Sequence, residues 1–77
     1  MNILVTGSAG MIGGYVVKGL IGKGHTALGV DMRKSQWEHP HFNQVILDLS
    51  SKEGVNHLFE DKKIDRCIHL AVLPEIP

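Results

Sequence analysis

The sequence predicts an α/β fold on a parallel sheet, and three observations carry that prediction. Four short aliphatic runs, "NILVT" (2–6), "TALGVD" (26–31), "QVILD" (44–48) and "DRCIHLAVL" (65–73), read as strands. They are apolar along most of their length, as strands covered on both faces are. Helical periodicity separates the first from the second and the third from the fourth, and that β-α-β order favours parallel pairing.

The first strand stops at Gly7. Beyond it, Met11, Ile12, Tyr15, Val16, Leu20 and Ile21 recur at helical spacing until Gly22, Lys23, Gly24 and His25 end the pattern. Tyr15 belongs to this helix and is expected to pack. "MRKSQWEHPHFN" (32–43) is too polar, and too interrupted by Pro40, for a helix, so an irregular connection is expected, with Trp37 covering the sheet edge. Ser50 or Ser51 caps the second helix, with Glu53 and Gly54 in its first turn and Val55, Leu58 and Phe59 as its buried side. Cys67 and His69 fall on the fourth strand as core or groove-wall residues.

Composition removes several functions. The 77 residues carry 8 basic and 8 acidic side chains, so no positive field gathers nucleic acid or anionic lipid. The single cysteine forms no internal disulfide, and neither a secretory leader nor a long apolar stretch is visible, so a soluble cytoplasmic protein is expected, without membrane partners. "HPH" (39–41) lacks a second ligand pair at zinc spacing, so no metal site is expected. Lys23 lacks the surroundings of a phosphate-binding P-loop.

The chemistry concentrates in "VTGSAGMIGG" (5–14), where Gly7, Gly10 and Gly13 recur at every third position between a strand and a helix. Gly7 permits a sharp exit from the strand, Gly10 lets the backbone approach a pyrophosphate, and Gly13 lets the helix lie close on the sheet. Unpaired N–H groups of the first helical turn then face the phosphates. Asp31 closes the second strand near the spacing of roughly 20 residues at which an acid holds a ribose. It would repel a 2′-phosphate, so NAD is expected as cofactor; Arg33, two residues on, keeps NADP as the lesser alternative. Gly14 has no assigned role.

With "GHTALGVD", "VILDL" and "CIHLAVL", this segment resembles the N-terminal part of the extended short-chain dehydrogenase/reductase family, the NAD-dependent epimerases and dehydratases, from residue 1 to about residue 73. The resemblance implies a Rossmann-type sheet of order 3-2-1-4 with two helices. It implies pyrophosphate contacts from Gly7, Ala9 or Gly10, Met11 and Ile12, an adenine-ribose contact from Asp31, adenine contacts from Asp48 and Leu49, and a groove lined by Leu70, Ala71 and Val72. Val72 departs from the alanine usual there, and for Asp48 a capping or turn role stands equally open.

The family's catalytic Ser or Thr and Tyr-x-x-x-Lys pair have no counterpart in residues 1–77, where Tyr15 is the only tyrosine and Gly19 stands four places on. The expectation is therefore the N-terminal part of a dinucleotide-binding domain. Its remainder and a substrate domain would complete a homo-oligomeric enzyme that moves hydride to or from a nucleotide-sugar-like substrate. A stand-alone, non-catalytic nucleotide-binding or sensor module is the alternative.

Overall fold

The computed structural model describes residues 1–48, 50–61 and 63–70. Their order is β1 (Asn2–Thr6), α1 (Met11–Gly22), β2 (Thr26–Asp31), β3 (Phe42–Ile46), α2 (Lys52–Asp61) and β4 (Arg66–His69). The strands form one sheet of order β3-β2-β1-β4 with every neighbour parallel, the Rossmann-type arrangement expected from the sequence. Residues 32–41 run from β2 to β3 without a helix, also as expected.

Alternation along the strands divides the core in two. On one face Ile3, Val5, Ala27 and Phe42 pack with Val17 of α1; on the other Leu4, Leu28 and Val30 pack with Leu58 of α2. Helix α1 ends where Gly24 takes φ 89°. There the Gly24 N–H bonds to the Ile21 carbonyl (3.0 Å) and the His25 N–H to the Leu20 carbonyl (3.1 Å), a closing pattern that favours glycine. Helix α2 begins behind Ser51, whose Oγ accepts the Gly54 N–H at 3.3 Å, which selects Ser51 over Ser50 as its cap.

Four expectations need correction. Strand β3 starts at Phe42, two residues before the expected Gln44, because Phe42 pairs with Ala27 and is buried to 6 % exposure against the α1-side core. Tyr15 does not pack: it is 73 % exposed, as are Met11 (82 %) and Ile12 (68 %), so α1 buries a narrower stripe than its apolar residues suggest. Phe59 is likewise exposed, leaving Leu58 as the buried anchor of α2. Cys67 and His69 are exposed, which corrects the core half of their expectation and leaves the groove wall, because β4 is the outer strand of the four described and α2 covers that sheet face only in part.

Candidate functional site

In an open parallel sheet, ligands bind beyond the carboxyl ends of the strands where the strand order reverses. Here that point lies between β1 and β4, whose last residues Thr6 and His69 are paired. Thr6 Oγ1 lies 2.7 Å from His69 Nδ1 and accepts the Leu70 N–H at 3.0 Å, so the two strand ends are tied together.

The chain leaves β1 through Gly7 at φ 75°, a backbone state that side chains resist. The Gly7 N–H still reaches the Val30 carbonyl (2.8 Å), and its own carbonyl accepts from Gly10 (3.1 Å), closing a tight turn. Gly13 is fixed by packing: a Cβ there would strike the Gly7 carbonyl oxygen and lie 2.8 Å from its carbon and 2.9 Å from Ser8 Cα. At Gly10 a Cβ would meet only the Gly7 carbonyl, at an ordinary 3.4 Å. Nothing among the described residues demands glycine there, so on their side its bare face is free for an approaching group.

Gly10 is the N-cap of α1 and supplies no side-chain hydrogen bond; no acid stands in the first turn. The leading N–H groups therefore keep their donors and the positive end of the helix dipole for an anion. Asp31 is bound into the same turn. Its Oδ2 accepts the Ala9 N–H (3.1 Å) and its Oδ1 the Arg33 N–H (3.0 Å), with the side chain only 13 % exposed. Each carboxylate oxygen retains acceptor capacity beyond these bonds.

Gly7, Ala9, Gly10, Met11, Ile12, Gly13 and Asp31 are thus gathered at one place. Asp48 lies at the same end of the sheet, one residue past Leu47, whose N–H bonds to the Asp31 carbonyl at 3.0 Å. Its carboxylate accepts both the N–H (2.9 Å) and the hydroxyl (2.7 Å) of Ser50, the turn role left open by the sequence. Those two donors hold its pKa below the ordinary aspartate value. Leu70 adjoins Thr6, and its side chain packs on the α1-side core. Leu49, Ala71 and Val72 lie outside the described residues.

Two features were missed in the sequence. Ser8 is buried (3 % exposed) over Gly29, where a Cβ would come within 2.5 Å of Ser8 Oγ and 2.6 Å of a Phe42 ring carbon. A glycine inside an otherwise aliphatic strand was the available signal. Beside the turn, a hollow of about 540 Å³ opens between α1 and residues 33–37. Its helical wall includes Gly14, Tyr15 and Lys18, a one-face spacing obscured when only the apolar residues are followed.

The NAD dependent epimerase/dehydratase family model matches residues 3–77. The chain belongs to that family. It is 55% identical to protein CapI of Staphylococcus aureus, covering 92% of this chain and 25% of that protein. It is 30% identical to the UDP-glucose 4-epimerase of Caenorhabditis elegans, covering 99% of this chain and 27% of that enzyme. Among solved structures it superposes on the UDP-glucose 4-epimerase of Thermotoga maritima, determined with UDP-glucose, at a TM-score of 0.81 and 32% identity (92% of this chain, 24% of the other). It also matches WbmH of Bordetella bronchiseptica, determined with NAD+, at a TM-score of 0.84 and 25% identity (99% and 27%). The chain therefore spans about a quarter of the length of each of these proteins.

Proposed function

We propose that this segment holds the NAD of an enzyme that oxidises or reduces a nucleotide-sugar-like substrate. The observation that carries the reading is a single turn that joins two functions. The uncapped start of α1 offers N–H donors for a pyrophosphate, and Asp31, hydrogen-bonded to Ala9 of that turn, offers acceptors for ribose hydroxyls. The bare Gly10 face fits the group, since the chain itself leaves space there.

In this reading Gly7 and Gly13 shape the cradle, Gly10 admits the pyrophosphate, and Ala9, Met11 and Ile12 border it. Asp31 orients the adenine ribose, with Asp48 and Leu49 at the adenine and Leu70 and Ala71 along the groove. Bound NAD would accept or return a hydride. The contribution of residues 1–77 is to fix its adenosine and pyrophosphate ends. The epimerases and NAD-bound structures to which the chain is similar support both cofactor and substrate class.

Calorimetric titration of the full-length protein with NAD tests this. Wild type should bind, and Asp31→Ala should bind about 10- to 100-fold more weakly, the loss expected for charge-assisted hydrogen bonds. Absence of NAD binding by the wild type, or unchanged affinity in the variant, would overturn the assignment.

A further inference from the structure

The connection between β2 and β3 has no helix, yet side chains organise its backbone. Among the described residues, every hydrogen bond made by 33–37 involves a side chain. The Arg33 N–H donates to Asp31 Oδ1 (3.0 Å), the Ser35 N–H to Gln44 Oε1 (2.8 Å) and the Trp37 N–H to Ser35 Oγ (3.2 Å). Gln44 Nε2 then donates to the Trp37 carbonyl at 3.4 Å, so one side chain grips the connection twice.

Gln44 suits this by chemistry and by place. An N–H at residue 35 and a carbonyl at residue 37 call for an acceptor and a donor together, and a primary amide offers both without carrying a charge. Gln44 stands two residues after Phe42 on β3, opposite Gly29, and therefore on the α1-side face. Trp37 packs on that same face. Its ring stacks on Phe42 at 5.7 Å and on His39 at 5.5 Å, with Lys18 Nζ 5.5 Å from its centroid. These contacts hold the tryptophan ring; Gln44 holds the backbone that carries it.

The grip leads to Asp31. The Asp31 carbonyl accepts the Leu47 N–H (3.0 Å) just past β3, and Ser35 is fixed to Gln44 within β3, so both ends of the span 31–35 are tied to one strand. Arg33 lies at the centre of that span, and its N–H is delivered to one carboxylate oxygen while Ala9 binds the other at 3.1 Å. A carboxylate held at both oxygens keeps a fixed aim, which a binding group needs.

We propose that Gln44 is a positioning residue: its amide clamps Ser35 and Trp37, keeps the Arg33 N–H on Asp31, and so aims that carboxylate at the adenine ribose. The role at the ribose rests on the NAD reading above; the clamp does not.

Hydrogen exchange and calorimetric titration of the full-length protein test the two parts separately. Gln44→Met keeps the length of the side chain and removes both bonds, and Gln44→Ala removes them without a stem. In the free protein either variant should speed amide exchange at 33–37 by about tenfold and leave β1 and α1 unchanged. NAD should bind about 3- to 10-fold more weakly. Placed in Asp31→Ala, Gln44→Met should cost nothing further, because the group that it positions is gone. The penalty should also shrink with 2′-deoxy-NAD, which lacks one of the hydroxyls assigned to Asp31. Unchanged exchange at 33–37 overturns the proposal, as does an NAD loss of equal size with and without Asp31. Failure of wild type to bind NAD would sink the cofactor reading and the role at the ribose, while faster exchange at 33–37 in the variants would still uphold the clamp.

Discussion

The two faces of the sheet are covered in different ways. Under α1, backbone lies against backbone: Gly13 touches Gly7 and Ser8, Ser8 fills the space over Gly29, and Phe42 closes the same slot. Under α2 the contact rests on side chains, with Leu58 buried among Leu4, Leu28 and Val30 while Phe59, Cys67 and His69 are exposed. Backbone cannot rotate away from a clash, whereas an aliphatic side chain can change rotamer. The face beside the glycine turn is therefore the rigid one, and the phosphate cradle proposed for its peptide groups would require that rigidity.

Substitutions should separate the faces. The largest effect is expected for Gly13→Ala, because its Cβ meets only backbone; unfolding in urea should show a loss of about 3 kcal/mol or more. A loss below about 1 kcal/mol would mean that α1 slides freely and the distinction fails. Leu58→Ala, on the softer face, should cost about 2–3 kcal/mol, with little cavity cost where the neighbours can collapse. A larger loss than that of Gly13→Ala would reverse the ranking.

Gly29→Ala should cost about 2 kcal/mol by expelling Ser8 or Phe42, and adding Ser8→Gly should return about 1 kcal/mol in a double-mutant cycle. Strict additivity would show that Ser8 does not occupy the space over Gly29. The smallest effect is expected at Asp48. Its folded pKa is lowered by the Ser50 donors, so its stabilisation is fully present above the ordinary value of 3.8 and is lost as pH falls through the lowered folded value. Asp48→Asn should thus lower the melting temperature slightly near neutral pH, and the gap should close on acidification to about pH 2. A gap independent of pH would remove the Ser50 bonds as its cause.

Much of this was legible along the chain. Gly7, Gly10, Gly13 and Asp31 take their structural positions from local geometry, a turn, a helix start and a strand end, which the residue order encodes directly. A serine cap on α2 was also legible, though only the Gly54 N–H bond to Ser51 Oγ chose Ser51 over Ser50, and the β3-β2-β1-β4 order is the one that the family resemblance implied. Tertiary structure decided what depends on partners distant in sequence. Strand β3 begins at Phe42 because it pairs with Ala27 of β2, a partner outside the polar connection in which the phenylalanine stands, while Trp37 of that connection stacks on its ring at 5.7 Å. Likewise Tyr15 and Lys18 share helical spacing with apolar neighbours, and only docking of α1 on the sheet through Val17 turns them toward the hollow that Arg33 and Lys34 also line. The sequence by itself determined the glycine turn, because a turn is made of consecutive residues; the hollow beside it exists only once two separate segments have packed.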